Sequence, residues 1–218
     1  MRLFILFFSI IIFALNTSNA FAQNLICKLT KYSCPKVLYK QLIQRDNFYY
    51  RKFDANKYTG YVDGRRKGFM QDGVKEGIWE FYFNGKLKIK ENLVLGERNG
   101  ETKIYFNSGE LNSKSNYKNG LKNGYYKTYY KSGKLRSISS YKNNKRIGES
   151  KIFYENGNIL GLGLFENGNE EGNFILYTKK GDIKEGAFFK KGRLQFCFNK
   201  FSITKIKCDN FKMGWVWF

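Results

Sequence analysis

The chain has 218 residues, 39 Lys and Arg against 18 Asp and Glu, a formal net charge of +21, and no histidine. Without histidine it lacks the commonest general base, the usual nucleophile triads and any Cys/His zinc pattern. The cation excess points instead to anionic partners.

Arg2, the apolar run Leu3–Leu15 and the small-x-small site Ala20–Phe21–Ala22 read as a secretory signal peptide over residues 1–22, cleaved after Ala22. That run is too short for the roughly 20 apolar residues of a membrane span, so no transmembrane span is expected after cleavage. The bulky Ile26 before Cys27 argues against a lipoprotein cysteine. Residues 23–57 form an N-terminal cap, in which Ser33–Asn47 reads as a short amphipathic helix. Pro35 would lie in its first turn, with Val37, Leu38, Gln41 and Leu42 along one stripe. Four cysteines in an exported chain favour disulfides, with free thiols as the alternative. Because they sit in two groups outside the central region, the preferred pairing is Cys27–Cys34 and Cys197–Cys208.

The central region, residues 58–192, is periodic. Gly85, Gly109, Gly133, Gly157 and Gly181 follow one another at intervals of 24 residues, a spacing that marks a repeat architecture. Four residues before each stand Phe81, Tyr105, Tyr129, Phe153 and Tyr177, and two after stand Leu87, Leu111, Leu135, Ile159 and Ile183. Eleven after, a second turn slot holds Gly96, Gly120, Asn144, Gly168 and Gly192. Asn119–Gly120 and Asn167–Gly168 are strong hairpin signals, since both residues take positive φ cheaply. Each unit is therefore two short strands and two turns. An isolated hairpin is marginal in water, so stacking into one continuous sheet is expected. The first unit is one residue shorter between Gly77 and Gly85, and Gly60–Gly73 reads as a degenerate unit.

The stretches "GIWEFYFNGKL" (Gly77–Leu87) and "YYKSGKLRSISSYKNNKRIG" (Tyr129–Gly148) resemble the MORN-repeat variant, found in bacterial proteins of the YwqK-like toxin–antitoxin antitoxin family. The resemblance covers roughly Tyr58 to Gly192. It implies an all-β, elongated repeat sheet of successive antiparallel β-hairpins and, through the antitoxin relatives, a toxin-neutralising or immunity-like role. The chain departs from that pattern in its expected export and in keeping a strand tryptophan, Trp79, only in the first unit.

Side chains alternate across a strand. If the turn at each periodic glycine has two residues, the position three before it lies across from the position two after it. One face then carries Thr128, Tyr130, Leu135 and Tyr141 together with small residues (Ser113, Ser115, Ser137, Ser139, Gly161, Gly163), and is the packing face. The other carries Tyr105, Tyr129 and Phe153, flanked by Lys103, Lys127 and Lys151, with Lys88, Arg136 and Lys184 three after the glycine and Lys90 and Lys114 five after. Lys88, Lys103, Tyr105, Lys127, Tyr129, Arg136, Lys151 and Phe153 thus form a candidate binding strip for an acidic partner, by Coulomb attraction and cation–π contacts. The competing reading is that these lysines only keep the sheet soluble and discourage edge pairing. The strip requires Tyr105 and Tyr129 to face away from Leu111 and Leu135.

Residues 193–218 read as a C-terminal β cap of two or three strands. The ending Gly214–Phe218 resembles that of outer-membrane barrel proteins, but the repeat lacks their apolar outward faces. The acidic residues are scattered, and the segments outside the repeat are too short for an ordinary catalytic domain. No enzyme activity, metal or cofactor is expected. The expected partner is an acidic protein, a toxin in one version, or an anionic lipid or polymer of the cell envelope. Nucleic acid is set aside as a physiological partner on account of export.

Overall fold

The computed structural model describes residues 34–199 and 202–206. The signal peptide, Cys27 and Cys208 lie outside them. A parallel strand β1 (Lys36–Leu38) is followed by a single 3-10 turn (Tyr39–Gln41), β2 (Leu42–Arg45) and β3 (Phe48–Arg51). Then come β4 (Gly60–Asp63), β5 (Arg66–Gln71), β6 (Val74–Phe83) and β7 (Lys86–Val94). The regular hairpins follow as β8 (Glu97–Tyr105), β9 (Leu111–Lys118), β10 (Leu121–Tyr129), β11 (Leu135–Lys142) and β12 (Lys145–Phe153). The series ends with β13 (Ile159–Glu166), β14 (Asn169–Tyr177), β15 (Ile183–Lys190), β16 (Arg193–Asn199) and β17 (Ser202–Ile206). Apart from the β2–β3 pair, the strands form one sheet in the order β1-β4-β5 and then consecutively to β17. Among the described residues, β1 pairs with β4 in parallel.

The expected helix over Ser33–Asn47 does not form. Val37 and Leu42 are both buried, but on separate strands joined by the 3-10 turn. They reach one cluster with Tyr58, Val62, Met70, Trp79 and Leu93. Tertiary packing of the extended segment outweighs a local stripe of three apolar residues and Gln41, since helix propensity is a weak prior.

Two compact units divide the chain: residues up to Gly85 with Leu93–Gly96, and Lys86–Asn92 with residues from Glu97 onward. The first contains the cluster just named. Its tryptophan is pinned by Nε1, which donates to the Phe69 carbonyl at 3.0 Å.

In the second unit the repeat is read most directly from its turns. At Tyr130–Lys134 the Gly133 N–H donates to the Tyr130 carbonyl and the Tyr130 N–H to the Lys134 carbonyl, both at 2.9 Å. Gly133 has φ 81°. This is a three-residue loop ending in a left-handed glycine, and it recurs with the same bonds at Phe106, Tyr154 and Thr178. The second slot holds two-residue turns with both residues at positive φ, as at Asn119 (49°) and Gly120 (74°) and at Asn167 (51°) and Gly168 (94°). Each of these turns also donates to the preceding unit: Gly120 N–H to the Arg98 carbonyl, Asn144 to Lys122, Gly168 to Arg146 and Gly192 to Glu170. That bond ties successive units at a fixed 24-residue step. The shorter first unit is explained by its turn, Asn84–Gly85, where both residues have positive φ (48° and 73°) and no third loop residue is needed.

One side of this sheet is buried: Ser113, Ser115, Ser139, Ser150, Ile152, Phe165, Phe174, Leu176 and Ala187. The small residues predicted for the packing face are therefore on the inner side. The chain's own rings fill the space above them, as where Phe174 lies over Gly163.

Candidate binding face

Register partners on neighbouring strands place the lysines. Lys103 on β8 stands across from Lys114 on β9, and Lys114 across from Lys127 on β10. Lys127 faces Ile138 on β11, and Ile138 faces Lys151 on β12. Four lysines thus occupy one row across five adjacent strands. Tyr105, Tyr129 and Phe153 lie two residues along from Lys103, Lys127 and Lys151 and share their side by alternation. The hydrogen bond to Glu101 raises the Lys103 pKa, and the fields of Tyr105 and Tyr129 add a little to it.

The row is not bare cation. Lys103 pairs with Glu101 at 2.8 Å, Lys114 with the same carboxylate at 3.4 Å, and Lys151 with Glu149 at 2.6 Å. The hydrogen bond from Lys103 holds the Glu101 carboxyl below its usual range, with Lys114 adding to the effect, and Glu101 in turn raises Lys103. Lys127 lies over the Tyr125 ring, 5.7 Å from its centroid.

The two-residue turn assumed for the periodic glycine is wrong in these units, and the faces change accordingly. Tyr105 stands across from Leu111 and Tyr129 across from Leu135. The leucines therefore join the rings beside the lysines, and a strip of rings segregated from leucines does not exist. The cause is the third loop residue, which is compensated by a bulge: the ladder steps from Thr128–Ser137 to Tyr129–Leu135 and leaves Arg136 unmatched. Asn112, Leu160 and Lys184 are left out in the same way in their hairpins. Arg136 is thus a bulge residue, outside the ladder. Lys88 is turned away: its Nζ donates to the Phe106 carbonyl at 3.1 Å and to Asn107 Oδ1 at 2.6 Å.

A second set of cations went unread in the sequence. Arg98 lies over Tyr117, Lys122 over Tyr126 and Tyr141, and Arg146 over Tyr141 and Phe165, at 4.5 to 5.7 Å from the ring centroids. These rings share the side of Ser115, Ser139 and Gly163. The signal was present, since Arg98, Lys122 and Arg146 recur every 24 residues. So did the glycines two residues further on, among them Gly124 with φ 112°, which sits in the bulge between Lys122 and Tyr126.

Cys34 and Cys197 are disulfide-bonded, while the partners expected for them lie outside the described residues. Among the described residues no three metal-ligating side chains gather, and no helix is long and apolar enough to cross a membrane.

Residues 75–94, 98–119, 122–143 and 146–167 each match the MORN repeat variant. No curated protein matches the chain.

Proposed function

We propose that this chain, which carries four repeats of the MORN variant, is an exported, non-enzymatic protein that binds an acidic partner through the lysine row of its sheet. A toxin acting in the cell envelope is the specific partner, and neutralising it is the role. The observation that carries the reading is the register row Lys103–Lys114–Lys127 with Lys151 beyond Ile138. Cations held about 5 Å apart on successive strands suit an extended acidic segment. Glu101 and Glu149 hold the lysine heads in place until a partner's carboxylates compete for them. Disulfides Cys27–Cys34 and Cys197–Cys208 would staple both ends of such an exported array, a pairing that non-reducing peptide mapping tests directly.

The decisive experiment replaces Lys103, Lys127 and Lys151 together with glutamine and measures binding to poly-L-glutamate across a salt series, beside recovery of a co-purified envelope protein. The expected result is weaker binding with a shallower salt slope, and a stability loss of no more than about 1 kcal/mol for each exposed ion pair removed, Lys103–Glu101 and Lys151–Glu149. Unchanged binding would leave the lysines as solubilising groups only. Retention on anionic vesicles without any protein partner would instead favour an envelope scaffold that holds anionic lipid or polymer.

A further inference from the structure

The second unit contains a cavity of about 450 Å³ that the lysine row does not account for. Rings of Phe106, Tyr129 and Tyr130 form its walls, and Ile152 and Leu160 give it an aliphatic floor. Two cations, Lys131 and Arg136, stand at it, both exposed. The volume falls within the range of small-molecule sites, roughly 300 to 1,000 Å³. The polar groups are placed unequally. The Tyr130 hydroxyl is committed to the Phe153 carbonyl at 2.6 Å, which fixes that ring as a wall. Arg136 makes no ion pair or side-chain hydrogen bond among the described residues. Lys131 makes none either among the described residues, although the Glu110 carboxyl, lowered first by its hydrogen bond with Ser108, is lowered further by the Lys131 charge.

Arg136 and Leu160 are the bulge residues of consecutive hairpins, and bulges re-aim side chains out of the ladder. The same slot holds Asn112 in the hairpin before, and Lys184 two hairpins on, where Glu185 stands 3.8 Å from it. Arg136 is thus the charged bulge residue with no carboxylate beside it.

We propose that this cavity binds a small carboxylate carried on an aromatic body. The guanidinium takes the carboxylate through two parallel N–H···O bonds, the fork geometry that its planar donors offer to paired oxygens. The body lies among the three rings in offset or edge contact. The site shares Tyr129 and Arg136 with the expected strip but stands apart from the lysine row.

The test is calorimetric titration of the full chain with indole-3-acetate, and with indole-3-ethanol and acetate as the ring and the anion alone. Saturable one-to-one binding is expected for indole-3-acetate, at least tenfold weaker for the alcohol and absent for acetate. Arg136→Gln should weaken binding at least tenfold, and Leu160→Trp should abolish it by filling the floor. Lys184→Gln removes the same charge from an equivalent slot and should change nothing, as should the triple lysine variant. If indole-3-acetate fails to saturate, if Arg136→Gln binds as before, or if Lys184→Gln weakens binding equally, the site is overturned. The lysine-row reading survives any of those results.

Discussion

Replacing Gly163 with alanine tests whether the small residues of the inner side exist to admit a ring from the next strand. A Cβ at Gly163 would lie 2.2 Å from Cε1 of Phe174 and 2.3 Å from its Cδ1, so the ring would have to move. It has nowhere to go: Phe174 is fully buried, with the Phe165 and Phe189 centroids each 5.2 Å away at 87° and 68°. Gly163 is not in the left-handed region, so the strain is steric alone. Overpacking of this kind costs about 1–3 kcal/mol. Phe174→Ala alone should cost about 3–5 kcal/mol, by lost transfer energy and a residual cavity. In the double variant the new methyl group enters the space the ring has left. Gly→Ala then also restricts the unfolded chain, a gain of about 0.4–1 kcal/mol. Urea unfolding of the four proteins should therefore show the double variant more stable than the sum of the single changes by about 1–3 kcal/mol, with Phe174→Leu as a milder second arm. Additivity within about 0.5 kcal/mol would mean that ring and glycine are not mutually constrained, and the account of the inner side would be wrong.

Gly133 makes the opposite case. A Cβ there meets no atom within 4 Å, but φ is 81°, so Gly133→Ala should cost about 1–2 kcal/mol through backbone strain alone. Gly133→Asn should recover part of it in a thermal melt, and equal losses for both would refute the three-residue loop. The Glu101–Lys103 pair gives a pH dependence of known sign. The lowered Glu101 pKa contributes stability above its unfolded value, lost as pH falls through the folded one. The raised Lys103 pKa contributes below its unfolded value, lost as pH rises through the folded one. Both groups are more than a third exposed, so Lys103→Gln should cost less than about 1 kcal/mol at pH 7. That cost should shrink as pH falls through the folded Glu101 pKa, and a urea midpoint displaced equally at pH 7 and in acid would show that the pair contributes nothing.

The hairpin repeat was legible because its determinants are local. An Asn-Gly turn needs only its own two residues, and a 24-residue spacing needs no knowledge of packing. The register at the other turn was not legible, because "KSG" at Lys131–Gly133 fits a two-residue or a three-residue loop equally well. Only the compensating bulge at Arg136, set by strand pairing, distinguishes them. One residue of loop length moved the whole leucine column to the ring side, since strand faces have a period of two. The helix expected over Ser33–Asn47 failed for a related reason. Val37 and Leu42 fit a helical stripe, but the cluster that captures them includes Trp79 and Leu93, far along the chain. The inner cations stand thirteen residues after the periodic glycine, beyond the positions sorted by face, and a cation over a ring buries its stem and keeps its head wet.

That last point changes how the net charge of +21 bears on function. Arg98, Lys122 and Arg146 are engaged with rings on the inner side, and Lys103, Lys114 and Lys151 with carboxylates on the other. A partner of those three lysines must displace Glu101 and Glu149, so each contact exchanges one ion pair for another and gains little beyond its geometry. Arg136 has no such competitor among the described residues, and a ligand there gains the full charge-assisted bond while burying its apolar body against Ile152 and Leu160. The long-range field of the array sets how fast anions arrive. An anion stays longest where a cation has no carboxylate beside it, as at Arg136 of the bulge and at Lys127 of the row.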